Sequence, residues 1–182
     1  MTDTPILVEL VDRDGRTLAT SEKIAAHRPP GALHRAFSVF LFSGDGRMLL
    51  QRRAQGKYHW PGVWSNACCG HPLPGEPPFL AAVRRTVEEL GAAPEALSAV
   101  GTVDYAFTDT GTGLVEREFN HLFAGRIGAD ARPDPAEVGE TVLVAPDGLA
   151  ALRAAEPFSA WFGTVLEAAA PGIRRLVPEG GW

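Results

Sequence analysis

The chain has 182 residues, 45% of them hydrophobic and 21% charged, with a formal net charge of -5 at pH 7. That length fits one domain with a sizeable core, and those fractions belong to a globular protein rather than to a disordered or fibrous chain. The negative balance argues against a general nucleic-acid or membrane-surface binder, although a local basic cluster can still hold an anion.

No segment is long and apolar enough to span a bilayer. Met1-Thr2-Asp3-Thr4-Pro5 lacks the charged-then-apolar layout of a signal peptide. The only cysteines, Cys68 and Cys69, are adjacent, so no disulfide within the chain can join its distant parts. Reduced thiols and a cytoplasmic location are the expectation.

In chain order, residues 6–11 are a β-rich run ended by the turn Asp12-Arg13-Asp14-Gly15. Residues 21–27 read as a short helix stopped by Pro29-Pro30-Gly31, with His27 and His34 on either side of the break. Those two cannot share one continuous helix, but a turn can bring them together. Residues 36–42 read as a buried strand, 43–46 as a hairpin turn and 47–52 as its partner. The chain then turns basic at Arg52, Arg53 and Lys57, as either a solvated edge or an anion site. Next comes a segment, 60–72, crowded with turn formers yet carrying Trp60, Trp64, both thiols and His71. Loops of that composition are usually plain and polar, and this one concentrates reactive groups where turns can aim them at a common point.

Residues 77–90 predict a helix, with Pro77 and Pro78 tolerated at its first turn and Gly91 as its stop. Leu80, Val83, Val87 and Leu90 recur at helical spacing and are expected to be its buried stripe. Arg85 and Glu89, four apart, share a different face and as a bare helix read as a solvated ion pair. Residues 98–107, with Tyr105, and 115–123 predict strands around a loop at 108–113. The period of two puts Glu116 and Glu118 on one face and Val115, Phe119 and Phe123 on the other. Same-face neighbours lie roughly 6–7 Å apart, so the two carboxylates either converge on a cation or mark a solvent-facing edge. A short strand at 140–145 and helices at 146–156 and 159–170 follow. The Gly/Pro-rich tail from 171 is expected to be poorly ordered. Neither repeat nor linker divides the chain, so residues 1–182 are expected to form a single domain.

His27, His34, His71, Glu116 and Glu118 form a candidate set of metal ligands, a mixture suited to Zn, Mn or Fe. Five protein ligands leave little room for an activated water, which argues against ordinary metal hydrolysis. A second pattern starts at Gly70: five residues, Glu76, seven residues, then Arg84-Arg85-Thr86-Val87-Glu88-Glu89-Leu90-Gly91. It resembles the Nudix box, Gly-x5-Glu-x7-Arg-Glu-U-x-Glu-Glu-x-Gly-U, with Arg85 in place of Glu and Thr86 in place of the aliphatic residue. The longer string is similar to the type 1 isopentenyl-diphosphate isomerases. It comprises Ala25-Ala26-His27, 33–38, Arg52-Arg53-Ala54, Trp60-Pro61-Gly62-Val63-Trp64-Ser65-Asn66, Cys69-Gly70-His71-Pro72, the 84–91 helix and Glu116-x-Glu118. The likeness runs in order from about Glu22 to Trp161.

That resemblance implies an α/β fold, a Nudix-like α/β/α sandwich with a mixed sheet. It implies interconversion of isopentenyl and dimethylallyl diphosphate by protonation and deprotonation. By the same resemblance, Cys69 and Glu118 match the catalytic pair, on opposite sides of the substrate, and Tyr105 a tyrosine near the catalytic Glu. His27, His34, His71, Glu116 and Glu118 match ligands of one Zn2+ or Mn2+, and Glu89 a carboxylate holding Mg2+ on the diphosphate. Lys23, Arg53, Lys57 and Arg85 match the diphosphate contacts, and Trp161 an aromatic beside the reacting carbons. The implied partner is a small allylic or homoallylic diphosphate, with no nucleic acid and no membrane, and the chain is expected as a monomer or weak homodimer. Cys68 is expected to serve packing, and His59 and His121 to be structural or exposed. Two rivals stay open: a Nudix hydrolase, and a non-catalytic metal-bearing module on the same scaffold.

Overall fold

The computed structural model describes residues 5–57, 59–128 and 131–182. The first half runs β1 (Leu7–Val11), β2 (Thr17–Glu22), α1 (Lys23–His27), β3 (His34–Phe42), β4 (Met48–Arg53), β5 (Trp64–Asn66) and β6 (Cys68–Gly70). After it come α2 (Pro78–Leu90), β7 (Glu95–Thr108), β8 (Val115–Arg126), β9 (Val138–Val144), α3 (Pro146–Ala155) and α4 (Phe162–Leu176).

Among the described residues the strands form one nine-stranded sheet built around β3. Every residue of β3 but Arg35 is buried, the pattern of a strand covered on both faces. Along one edge it pairs in parallel with β8, from His34↔Glu118 to Phe42↔Arg126, and β7 pairs antiparallel outside β8. Along the other edge it meets β1 at His34, β6 from Phe37 to Val39 and β4 at Leu41 and Phe42. The sheet is therefore mixed, as expected.

Alternation along β3 divides the core. Phe40 and Phe42 face one way and pack with Leu122, Ala124, Phe162, Val165, Ala169 and Ile173, which places α4 on that face. Phe37, Val39 and Leu41 face the other way and pack with Cys68, Ala81, Ala82, Leu90 and Phe123, which places α2 there. Burying each such Phe or Leu contributes about 1.5–3 kcal/mol. The result is the expected α/β/α sandwich.

Three expectations need correction. The stripe on α2 is not Leu80-Val83-Val87-Leu90: Leu80 is 55% and Val87 43% exposed. The inward residues are Ala81, Ala82, Thr86, Glu89 and Leu90. Small side chains let this helix lie close to the sheet, and the turned face is the one that carries Glu89 inward. The end is as expected: Gly91 takes φ 67° and its N–H reaches Val87 O at 2.9 Å. A Cβ there would stand 2.5 Å from Arg132 O.

The segment at 21–27 is helical only from Lys23. Ser21 and Glu22 close β2, and the Glu22 carboxylate caps α1 by accepting from the Ile24 and Ala25 amides at 2.9 and 2.8 Å. The tail from 171, expected to be poorly ordered, is packed. Pro171 lies inside α4, where burial of Gly172, Ile173 and Val177 offsets an interior-proline cost of about 3 kcal/mol. Beyond it a 3-10 turn, Pro178–Gly180, leads to Trp182, whose Nε1 donates to Gly46 O at 2.8 Å and whose ring meets Phe42 at 5.7 Å. Gly46, at φ 81°, is obligatory there, since a Cβ would stand 2.8 Å from Gly180 Cα.

Candidate active site

A cavity of about 470 Å³ opens where β6, β8, α1 and the loop before β5 meet. At one end His27, His34, His71, Glu116 and Glu118 converge, with one donor atom from each lying within 4.8 Å of all the others. His27 comes from the last turn of α1 and His34 from the first position of β3, and their rings stand 4.6 Å apart. The Pro-containing break between them is thus the turn that joins them. The Glu116/Glu118 face of β8 looks into the protein, both carboxylates being buried.

The donors are pre-aimed. His27 Nδ1 meets Lys23 O at 2.6 Å and His34 Nδ1 meets Ala32 O at 2.8 Å. Each Nδ1 must carry a proton to do so, which leaves the Nε2 lone pair for a ligand. His34 Nε2 lies 3.1 Å from His71 Nε2, which lies 3.0 Å from Glu118 Oε1, and His27 Nε2 lies 3.1 Å from Glu116 Oε2. Such separations suit neighbouring ligands at right angles around a cation with bonds of about 2.0–2.2 Å. Burial pushes His34 down to about 4 and His71 well below its ordinary range, so both rings are neutral at pH 7. The residues fit a divalent metal.

Glu118 is held from its other side. Its Oε2 accepts from Tyr105 Oη at 2.5 Å and from Asn120 Nδ2 at 3.0 Å, and Asn120 also donates to Tyr105 at 2.9 Å. Burial, then the neighbouring Glu116, raises the Glu118 carboxyl to about 8. Burial would raise Glu116 too, but His27 and His59 outweigh it and keep it ionised. The two carboxylates therefore differ in character, one a firm anion and the other able to carry a proton near neutrality.

Alternation in β6 separates the thiols. Cys69 lines the cavity, whereas Cys68 is packed in the core beneath α2. Burial drives Cys69 up to about 12, against a smaller downward pull from Arg53, so the thiol keeps its proton at neutral pH. Cys69 and Glu118 enter the same cavity from strands on opposite edges of β3.

The rest of the cavity is rich in cations. Lys23, Arg53, Lys57 and Arg85 all line it, as do Glu89 and Trp161. Arg53 donates to the Trp60 and His59 carbonyls at 2.9 and 3.0 Å and lies 5.6 Å from the Trp161 ring centroid. Arg85 NH2 reaches Glu89 Oε1 at 2.6 Å, while Gln51 Nε2 donates to Glu89 Oε2 at 3.0 Å. The Arg85–Glu89 pair is thus no solvated surface pair. The remaining box residues brace the loop: Arg84 clasps Glu76 at 2.7 and 2.8 Å, and Glu76 caps the Leu73 amide.

Three residues here escaped the sequence reading. His59 is buried and bonds Glu116. Glu137 pairs with Lys57 and, at 3.3 Å, with Arg85. Asn120 completes the Tyr105–Glu118 triangle. A signal existed only for Asn120, which extends the Glu116/Glu118 alternation by one step.

The NUDIX domain pattern matches residues 32–162. The chain is 60% identical over 178 residues to a protein named isopentenyl-diphosphate Delta-isomerase from Streptomyces avermitilis, covering 97% of this chain and 90% of that one. It is 62% identical, at the same coverage, to one of the same name from Streptomyces griseus. Among solved structures, DR0079 from Deinococcus radiodurans superposes with a TM-score of 0.71 over 90% of this chain and 98% of that one. At 20% identity, that likeness is one of fold alone.

Proposed function

The chain belongs to the isopentenyl-diphosphate Delta-isomerases of the Nudix superfamily, and from that premise we propose that it interconverts isopentenyl and dimethylallyl diphosphate with Cys69 and Glu118 as its acid–base pair. The observation that carries this reading is their entry into one cavity from opposite edges of β3, Glu118 as a member of the five-donor cluster and Cys69 beside it in a lining rich in Lys and Arg.

Protonating the terminal C4 methylene of isopentenyl diphosphate gives a tertiary cation at C3, and loss of a C2 proton gives the dimethylallyl isomer. One of Cys69 Sγ and Glu118 adds the proton and the other removes one, and the reverse reaction exchanges their parts. Tyr105 and Asn120 fix the Glu118 carboxylate, so only its proton has to move. Water would trap the cation, so Trp161, which lines the cavity with Trp60 packed against it, keeps the reacting carbons dry, and its face stabilises positive charge. Lys23, Arg53, Lys57 and Arg85 hold the diphosphate, the arginines offering paired donors.

Glu89 is the carboxylate for Mg2+ carried by the diphosphate, and the His/Glu cluster the site for Zn2+ or Mn2+. A divalent cation there supplies charge that lowers the proton affinity of Glu118. Arg85, standing where the Nudix box has a metal-binding Glu, favours holding a diphosphate over cleaving it. Unpaired Cys68 and Cys69 suit a reducing, cytoplasmic setting.

The test is incubation with isopentenyl diphosphate and Mg2+ in D2O, followed by NMR, beside Cys69→Ala and Glu118→Gln. The expected outcome is deuterated dimethylallyl diphosphate from the wild type, with turnover reduced about 10²–10⁴-fold or more in each variant. Release of phosphate or of a monophosphate would overturn the reading in favour of hydrolysis. Metal analysis of the purified protein distinguishes Zn from Mn.

A further inference from the structure

We infer that His59 is a positioning residue for the metal centre, one that holds Glu116 by one carboxylate oxygen so that the other is presented to the cation. The two oxygens of Glu116 have different partners: Oε2 lies 3.1 Å from Nε2 of His27, itself one of the five converging residues, while Oε1 is bonded by His59 Nε2. A ring nitrogen that donates its proton to a carboxylate has no lone pair there to give a metal, and His59 is not among the five converging donors. It therefore stands one step behind them, as the hydrogen-bonded partners of ligating carboxylates do. The residue is 6% exposed and its ring lies 5.9 Å from that of His27, so the contact is shielded from water, where hydrogen bonds to an ionised group are strongest.

The same residue ties the two halves of the cavity together. The His59 carbonyl accepts from Arg53 Nη2, at the cationic end, while its imidazole reaches Glu116 at the metal end. The next residue, Trp60, sits at φ 44°, a left-handed conformation that a tryptophan rarely adopts. Its ring stands 5.6 Å from His59 and 5.2 Å from Trp161. The surroundings thus hold the His59-Trp60 step in an unfavourable backbone geometry, and that geometry delivers the imidazole to Glu116 and the indole to Trp161.

This inference rests on the metal reading of the five-donor cluster, and the test separates the two. Affinity for Zn2+ and Co2+ is measured by competition with a chromophoric chelator for wild type, His59→Ala and His59→Gln. Glutamine is the conservative variant, because its amide nitrogen can reach the place of imidazole Nε2 and donate to Glu116. The expected result is an affinity loss of about 10–100-fold in His59→Ala, largely restored in His59→Gln. The Co2+ absorption spectrum at saturation should be the same in all three, since the donor set is unchanged.

Wild-type affinity in His59→Ala would overturn the inference. So would an altered Co2+ spectrum with no recovery in His59→Gln, which would make His59 a ligand itself. If the wild type binds neither ion, the metal reading fails and the role of His59 falls with it. Should His59→Ala not fold, His59→Gln alone decides: near-normal affinity and spectrum support positioning, and a changed spectrum sinks it.

Discussion

Arg35 follows His34 in β3 and gathers four neighbours around one guanidinium. Its Nε reaches Glu9 Oε2 at 2.7 Å, its NH2 the Gly15 carbonyl and Thr17 hydroxyl at 2.9 and 3.0 Å, and its NH1 lies 3.1 Å from His121 Nε2. Burial, then Arg35, holds His121 down at about 4, so the neutral ring accepts from the arginine. Here the structural role expected for His121 is visible, whereas His59, placed in the same class, turns out to touch Glu116 in the five-donor cluster. Nothing in its spacing could have separated them, because the partners are distant in sequence. Glu9 also accepts the Gly75 amide at 2.9 Å, fastening the first hairpin to the loop that follows His71. Burial would raise Glu9, but Gly75, Arg35 and Thr17 outweigh it and hold its carboxyl below the ordinary value. A depressed carboxylate stabilises the fold above the unfolded pKa and loses that stabilisation as pH falls through the folded one. Glu9→Gln should therefore cost about 1–3 kcal/mol at pH 7, with the gap to wild type narrowing below about pH 4. Urea unfolding at the two pH values measures both.

At the scale of elements, α2 shows where periodicity misleads. Its bounds follow from Pro77, Pro78 and Gly91, residues whose backbone preferences act locally, and these were legible. Its orientation was not, because the larger apolar residues Leu80 and Val87 lie on the outer face while the sheet takes alanines and a glutamate that lines the cavity. Hydropathy ranks side chains by size and polarity, but this interface selects for close approach and for reach into the cavity. The rotation is testable with a pair of variants. Ala82→Leu should overpack the contact with the sheet and cost about 1–3 kcal/mol, whereas Leu80→Ala should stay within about 0.5 kcal/mol of wild type. Chemical denaturation of both variants decides between the two faces, and the opposite ranking would restore the Leu80 stripe. The strands β5 and β6 were illegible for another reason. Three residues within a Gly/Pro-rich run carry no period, and they become strands only by pairing with β4 and β3.

Over the whole molecule, the legible part was chemical. Histidines, paired carboxylates, a thiol and clustered cations are few in kind, and their order along the chain, matched to the family pattern it resembles, collected Cys69, His71, Glu116 and Glu118 before any geometry. Contacts such as Glu137 with Lys57, or Asn120 with Tyr105, depend on how distant loops and strands come together, which one chain without its fold does not state. The tail was misjudged for the same reason. Its Gly and Pro content describes local freedom, while its order comes from what it meets: Gly46, Phe42 and, through Glu179, Arg126. Trp182→Ala removes a hydrogen bond and half-buried aromatic packing. It should lower stability by about 2 kcal/mol, short of the ~3–5 kcal/mol for a fully buried ring. A steady-state assay at a temperature where both proteins are folded should find kcat unchanged, and a large fall in turnover would contradict that separation.

The strand β3 gives that separation a length. It begins at His34, in the five-donor cluster, and ends at Phe42, under Trp182, eight steps later, or about 26 Å at the rise of an extended chain. The protein thus has a working end and a fastening end joined by one rigid rod. Heat tolerance can be tuned at the fastening end, through Trp182, Glu179 or a tether beyond them, while the geometry that moves the proton stays out of reach.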